Sequence, residues 1–423
     1  MLAGPWRLGS LLHRTRRVIG RRPVWLTALA AEVTGAYPRP PSDRPRELAA
    51  FVLQSKAFEQ ALATPLPRIA VRLTTVTSTI RRPFHTPGLD DVGQLADRLA
   101  ITVDELGTLA DTRLIARRAR SDRIAHYRYR WLTRPTGGRL LEAPKPRLKA
   151  VQRAVLDELL SPIPVHPAAH GFVTGRSAST GAAPHVGSDV VITLDLEHFF
   201  AAITAGRIWG ILRSAGYPEP VAHLLAGLTT HATPVSTLGE MPAGPDRGRD
   251  FRLRRRLAAP HLPQGAPTSP QLANLVAFAL DRRLAAYARA SGATYTRYAD
   301  DLSFSGGVNL ARRSAAFAAG VGRIVNESGF RLNPAKTRSR KRSQRQVVTA
   351  IVVNEKTNLS RPEVDMLRAV LHHCRTSGPT AANRDGLPDF RSHLLGRISW
   401  VTALNPAKGA RLRQVFDAIA WPQ

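Results

Sequence analysis

The sequence predicts an α+β protein with a helical N-terminal extension. Three observations carry this. Runs rich in β-branched and aromatic residues, HYRYRW, DVVITL, TYTRYA and QVVTAIVVN, are confined to residues 126–356. Longer segments between them space their apolar residues as a helix does. Residues 357–423 read as mostly helical.

Residues 1–88 form the extension. Helical stretches at 25–34 and 46–63 are separated by the Pro-rich YPRPPSDRP at 37–45. Residues 89–125 begin with a helical pair, LDDVGQLADRLAITVDELGTLADT, in which Thr102 is placed to cap the second helix. From His126 the texture changes to a strand, a PTGG turn, a second strand, a Pro-punctuated loop and a helix. DVVITL at 189–194 reads as a buried strand that runs straight into Asp195. Residues 232–260, rich in Gly, Pro and Arg, read as a surface insertion. HLPQGAPTSP follows, and then a helix with Ser269 as N-cap, Pro270 at its first position and Gly292 at its stop. Its apolar stripe is Leu272, Leu275, Val276, Ala279, Leu280 and Leu284. YTRYADDLSFSG at 295–306 reads as a tight hairpin with Asp300 and Asp301 at the joint. A helix over 311–328, the stretch GFRLNPAKT, a basic run and the strand QVVTAIVVN complete the region.

The 423 residues suffice for two or three domains, and an apolar fraction of 43% marks a folded chain. Lys and Arg number 61 against 31 Asp and Glu, a net charge of +30. Such a balance favours a polyanionic partner, most simply nucleic acid, although an Arg-rich composition also follows from a GC-rich genome. A single cysteine, Cys374, excludes an internal disulfide framework and a Cys-based zinc site. No apolar run approaches a membrane span. The basic N-terminus lacks a secretory core, and the protein reads as cytoplasmic.

Asp300 and Asp301 repel each other, so neither packing nor strand propensity explains the pair. A divalent cation opposite them does. Asp195 also ends a buried strand, and a strand that ends in a carboxylate aims it at the sheet edge. Three such carboxylates can hold two Mg²⁺ ions for in-line phosphoryl transfer, with Mn²⁺ as a substitute. One ion activates an attacking 3′ oxygen and the other clamps a triphosphate. The bland alternative makes Asp195 a helix cap and the pair a turn.

The order LDLEHFF, LPQGAPTSP, YADD, LNPAKT resembles the palm motifs of reverse transcriptases, and bacterial retron-type and group II intron-like enzymes above all. The upstream stretch GGRLLEAPKPRLKAVQRAVLDELL…HPAAHGFVTGRS is similar to the fingers of that family. The resemblance covers about residues 90–420. It implies a right-hand polymerase: fingers and palm over 126–356, the helical pair of 89–125 leading into them, and a thumb over 357–423.

By resemblance, Asp195, Asp300 and Asp301 are the metal ligands, joined by the backbone carbonyl of Leu196. Phe200 is the aromatic that selects dNTP over rNTP, with Phe199 competing for the role. Gln264 and Gly265 border the incoming nucleotide, and Lys336 approaches the pyrophosphate. Arg139 and Lys149 match the triphosphate grip, in competition with Arg134, Lys145 and Arg147. Arg176 is a further template or nucleotide contact. Arg254, Arg255 and Arg256, and Arg338, Arg340, Lys341 and Arg342, are expected phosphate contacts, each run otherwise a solvated face. The strand pair at 347–354 is expected to support the primer end.

Two motifs depart from retron enzymes. Gly181 stands where their Asn-Ala-x-x-His motif has Asn, while Ala182 and His185 remain. Their Val-Thr-Gly is here Val348-Thr349-Ala350. Both features are associated with recognition of the retron's own structured RNA. The expected partners are a structured non-coding RNA template, dNTPs, the cDNA product and an effector protein, with a role in antiphage defence. The alternatives are a template-independent DNA polymerase of the same fold, an RNA-binding scaffold without catalysis, and a helix-turn-helix regulator built on residues 89–112.

Overall fold

The computed structural model of the chain describes residues 5–19, 23–41, 44–62, 83–118 and 125–421. Parts of the basic N-terminal arm, residues 63–82 of the extension and the segment just before His126 lie outside the described residues. The chain divides into two compact units, Met1–Pro164 with Ile203–Leu272, and Val165–Ala202 with Ala273–Gln423.

The first unit opens with four helices, Leu8–Ile19, Trp25–Ala36, Pro45–Gln54 and Lys56–Leu62. Leu29, Val33, Leu48 and Ala57 form a core shared by the last three, with Trp25 and Phe58 edge-on beside it. The single helix expected over 46–63 is two, because the chain turns out at Ser55 into extended backbone. Helices Val92–Arg98 and Val103–Ala110 form the expected pair. Thr102 caps the second, accepting from the Glu105 N–H at 3.1 Å. Helix Glu219–Thr229 packs on this pair so closely that a Cβ on Gly227 would stand 2.4 Å from the Ala110 carbonyl oxygen.

Strands β1 (Tyr127–Arg134) and β2 (Gly137–Pro144) form an antiparallel hairpin. Helix Pro146–Ala154 follows, with proline in its first turn. Residues 232–260, read as a surface insertion, are largely exposed or partly buried, and they have regular structure. They hold helices Val235–Gly239 and Arg247–Leu257, the second capped by Asp246 and burying Leu253 and Leu257. The Trp131 indole N–H donates to the Thr237 carbonyl at 2.9 Å, so the segment is fastened to β1.

The second unit is built on a four-stranded antiparallel sheet of β3 (Val190–Asp195), β4 (Ala293–Tyr298), β5 (Asp301–Gly306) and β6 (Arg338–Lys341), in the order β4-β5-β3-β6. Tyr295 stacks on Phe304, Phe304 meets Phe317 edge-on and Phe317 stacks on Tyr287, joining the sheet to helices Ser269–Ala290 and Ser314–Glu327. The helix expected over 311–328 is interrupted at Arg313, which separates Val308–Arg312 from Ser314–Glu327. Ser269 opens its helix, but its hydroxyl donates to the Pro263 carbonyl at 2.7 Å and so ties down the preceding loop. Ala279, expected on the apolar stripe, is exposed. The strand pair expected within QVVTAIVVN is a hairpin of β7 (Val347–Val348) and β8 (Ile351–Val352). Its two-residue turn has positive φ at both Thr349 (49°) and Ala350 (65°), the pattern of a type I′ turn. Helices Arg361–Ser377, Phe390–Leu404 and Pro406–Asp417 enclose a separate core of Leu371, Leu394, Ile398 and Phe416. Among the described residues no helix is long and apolar enough to cross a membrane.

Candidate active site

The sheet of the second unit explains where its carboxylates stand. β3 and β5 run antiparallel with Asp195 directly opposite Asp301. Residues opposed across two antiparallel strands project to the same face, and like charges in that position destabilise the pair. Asp300 sits in the turn between β4 and β5, and its carbonyl accepts from the Leu196 N–H at 2.9 Å. Ala299, just before it, is held at φ 54°, a left-handed conformation uncommon for alanine.

The electrostatics record the crowding. Burial, then Asp300 and Asp195, push the Asp301 carboxyl up to about 6, against the opposing pull of Lys336. Asp195 is only 4% exposed. One of its oxygens accepts from Lys336 Nζ at 2.6 Å and the other from Asn333 Nδ2 at 3.2 Å. The Asn333 N–H also donates to the Asp195 carbonyl at 2.8 Å, so the Asn-Pro-Ala-Lys turn is bonded to the end of β3 at three atoms. Among the described residues no three acidic, His or Cys side chains already stand as a closed metal cage. The donor set nevertheless suits a hard divalent cation. It is all oxygen, and it carries adjacent acids, one of which is pushed upward by burial and by its acidic neighbours. The Lys336 ammonium occupies part of that role at Asp195, with its side chain half exposed.

The hairpin that carries Asp300 and Asp301 rests on a buried arginine. Arg297 Nε and Nη2 donate to the two oxygens of Asp281 at 2.8 and 2.7 Å, and both side chains are fully buried. Arg297 Nη1 donates to Asn274 Oδ1 and to the Ala299 carbonyl, each at 3.0 Å. The Tyr295 hydroxyl completes the Asp281 shell at 2.8 Å. The Asp-Asp turn is thus bonded to helix Ser269–Ala290. Sequence reasoning missed this group. Its signal was Asn274 and Asp281 on the apolar face of that helix, where an unpaired carboxylate is not tolerated.

His185 was noted only as a retained motif residue. It is fully buried, with one ring nitrogen 2.8 Å from the Ser305 hydroxyl and the other 2.7 Å from that of Thr296. Burial, reinforced by His170, pulls it down to about 4, so the ring is neutral and bridges β4 and β5. Gly181 fits against His170: a Cβ there would meet the His170 Cβ at 3.1 Å.

Phe199 is buried against Phe330, with Arg297 over its ring, whereas Phe200 is half-buried beside Phe172. Arg176 turns back on its own loop, where Nη1 donates to the carbonyls of His166, Pro167 and Ala169. Arg338, Arg340 and Lys341 lie on β6, and Arg342 follows, 4.0 Å from Asp189. These residues, with Asp195, Leu196, Asp300, Asp301 and Lys336, belong to the second unit. Gln264, Gly265, Arg139, Lys149 and Arg254 to Arg256 belong to the first. There Lys149 is exposed, Arg139 half-buried, and Arg254 and Arg255 are exposed on the last turn of their helix. Arg147, a competitor for the triphosphate role, forms a bidentate pair with Glu105.

Residues 133–352 match the family model described as reverse transcriptase (RNA-dependent DNA polymerase). The chain is 46% identical over 298 residues to the retron Mx65 reverse transcriptase of Myxococcus xanthus, covering 69% of this chain and 64% of the relative. It is 37% identical over 336 residues to the retron Mx162 reverse transcriptase of the same organism, covering 76% and 65%. With the retron Ec86 reverse transcriptase of Escherichia coli the identity is 31% over 298 residues, covering 69% and 80%. The chain therefore spans a little under two thirds of the length of the two M. xanthus relatives. A family match across more than half of the chain, joined by relatives that are each retron reverse transcriptases, has one consequence: the chain belongs to the reverse transcriptase family, in its bacterial retron type.

Proposed function

We propose that this chain is a retron-type RNA-directed DNA polymerase. It extends a primer, or a hydroxyl of the RNA itself, with dNTPs on an RNA template. The observation that carries the reading is Asp195 opposed to Asp301 at the ends of β3 and β5, with Asp300 adjoining and Asp301 pushed up to about 6. Isolated side chains would not be arranged against their own repulsion without a cationic ligand to receive.

The proposed arrangement is a right hand, with fingers and palm in 126–356, residues 89–125 leading into the fingers, a thumb in 357–423, and 1–88 as an extension. Asp195, Asp300, Asp301 and the Leu196 carbonyl would hold two Mg²⁺ ions, which lower the pKa of the attacking hydroxyl and neutralise the leaving pyrophosphate. Lys336, resting on Asp195, releases that oxygen and turns its ammonium proton toward the pyrophosphate. Phe200 presents a flat ring against the sugar and excludes a 2′-OH. Gln264, Gly265, Arg139 and Lys149 take the sugar and triphosphate of the nucleotide. Arg176 holds the template-side loop through its three carbonyl contacts. The cations of β6 and of helix Arg247–Leu257 take nucleic-acid phosphates. The proposed setting is cytoplasmic antiphage defence, with a structured RNA and an effector protein as partners.

The test is to purify the protein with its co-bound nucleic acid, add Mg²⁺ and labelled dNTPs, and sequence the labelled product. Asp300→Ala/Asp301→Ala is the control. Templated cDNA that disappears in the control supports the reading. Labelled DNA without a matching template would instead make the chain a template-independent polymerase. No incorporation on bound or added RNA would leave an RNA-binding scaffold.

A further inference from the structure

The Gln264–Gly265 loop of the first unit is gripped at both ends by one residue, Glu142 of β2. At one end the backbone does the work. The Glu142 N–H donates to the Gln264 carbonyl at 2.9 Å. Its own carbonyl lies under Gly265, where a Cβ would stand 3.0 Å from the oxygen, and Gly265 is at φ 135°. At the other end the side chain does it. One Glu142 oxygen accepts from the Thr233 hydroxyl at 2.7 Å, and the other is 2.8 Å from His261 Nε2. Both side chains of the Glu142–His261 pair are 1% exposed.

The protonation state follows from the partners. His261 Nδ1 is 2.8 Å from the Ala259 carbonyl oxygen, which can only accept. Nε2 faces a carboxylate oxygen. Both ring nitrogens therefore meet acceptors, and the pair needs one proton more than a neutral imidazole beside a carboxylate would hold. The backbone adds to the clamp. His261 exchanges N–H···O bonds with His231, each 3.0 Å, and the Leu262 N–H donates to the Ile203 carbonyl at 3.0 Å.

We propose that the shared proton of the Glu142–His261 pair sets the position of the Gln264–Gly265 loop, making both residues positioning residues for the incoming nucleotide. The inference rests on the reading that this loop borders the dNTP. When the proton leaves at high pH, the Nε2 lone pair faces a buried carboxylate and the contact becomes repulsive. The loop is then released at its His261 end.

The surrounding groups bear this out. Burial alone would strip His261 of its proton, but the charge and hydrogen bond of Glu142 outweigh it and raise His261 above the usual histidine range. Burial likewise works to raise Glu142, and His261 outweighs it, so that carboxyl is lowered. The other titratable groups facing the pair are His231, Tyr129, Tyr127 and His126. Burial holds His231 down to about 4, so it stays neutral against the Tyr129 hydroxyl at 2.7 Å. Tyr127 and Tyr129 are raised by burial and stay protonated. His126 is exposed, with Nε2 3.0 Å from the Thr108 carbonyl. The shared proton is thus held between two buried groups whose shifts both favour keeping the pair charged.

The experiment compares wild type with Glu142→Gln across about pH 6.5 to 9 on one RNA template–primer, reading KM for dNTP and kcat separately. Glutamine keeps the shape, accepts from Thr233 and donates to a neutral His261, so it needs no shared proton. Wild-type KM is expected to rise about tenfold along the alkaline limb, as for a lost hydrogen bond to a charged group, with kcat following its own profile. KM of the glutamine variant is expected to stay level, while His261→Ala is raised at every pH. A wild-type KM without an alkaline limb, or the same limb in Glu142→Gln, overturns the inference. If wild type incorporates no dNTP, the polymerase reading has failed. Equilibrium dNTP binding by the same two proteins then decides the positioning role, and binding that is absent or equally pH-dependent in both overturns it.

Discussion

Arg297→Met should unfold the second unit far more easily than its single lost charge suggests. The substitution removes four hydrogen bonds, two to Asp281, one to Asn274 and one to the Ala299 carbonyl. It also leaves the Asp281 carboxylate fully buried with the Tyr295 hydroxyl as its remaining described donor. Removing one member of a buried ion pair costs about 3–5 kcal/mol, because the stranded charge is what destabilises. For a unit of this size that is a fall in melting temperature of roughly 6–20 °C. The assay is thermal melting of the purified chain, together with template-directed dNTP incorporation well below the transition. Arg297→Met/Asp281→Leu replaces both charges and should recover about half of the lost stability or more. It should not recover activity, because the Ala299 carbonyl, one residue before Asp300, has lost its donor. If Arg297→Met melts within about 1 kcal/mol of wild type, or the double variant melts below the single one, the account of the hairpin's support is wrong.

Asp301 is raised to about 6, so the folded metal-free state keeps a proton that the unfolded chain releases near pH 4. Stability then falls as pH climbs between those values, and Asp301→Asn should melt higher than wild type at pH 7.5 by about 3 kcal/mol, match it near pH 4, and lose the advantage once Mg²⁺ is added. Phe200→Ala should raise rNTP incorporation relative to dNTP by at least about tenfold in competition assays, whereas Phe199→Ala should chiefly lower the melting temperature, since Phe199 is the buried ring. Ala350→Gly should stabilise the chain by about 0.5–1 kcal/mol, because Ala350 is held at φ 65°. Neutralising Arg338 and Lys341 on β6 should weaken RNA binding evenly across sequences and reduce the slope of log affinity against log salt by about 0.7 per cation for single strands.

The carboxylates were legible because they broke a rule: adjacent acids at a strand joint contradict packing. The strands on either side were legible from alternation, and the helix pair from its Thr102 cap. What escaped has physical reasons. β6 is Arg-Ser-Arg-Lys, with no apolar residue to show a period, as suits an edge strand kept from pairing by its charges. The strand pair at 347–354 was expected, but its turn type was not, because it turns on Thr-Ala where a type I′ turn ordinarily advertises Asn or Gly. Residues 232–260 read only as a surface insertion because Gly, Pro and Arg dominate. Yet Asp246 caps a helix there, and Leu253 and Leu257 fall on its inner face. The buried polar pairs were the least legible. Glu142 and His261 are 119 residues apart, and nothing local in either stretch announces the other.

The supports of the three carboxylates share a chemistry, and the reason is geometric. Repulsion among Asp195, Asp300 and Asp301 works to spread the strand ends that carry them. Apolar packing resists separation but tolerates sliding, since dispersion changes little over a fraction of an ångström of lateral shift. A buried hydrogen bond is sensitive to both distance and angle, and a buried ion pair more so. The turn of Asp300 and Asp301 is accordingly pinned by Arg297, the strands flanking it are bridged by His185, and the end of β3 is held by Asn333 and Lys336. Such groups are poor stabilisers for their volume, and well-packed hydrophobic replacements often match or exceed them. A chain selected for stability alone would lose them first. Apolar replacements at the Arg297–Asp281 pair and at His185, which touch no proposed metal ligand through their side chains, should therefore keep much of the stability while losing incorporation, and that separation identifies alignment of the carboxylates as what these buried polar groups maintain.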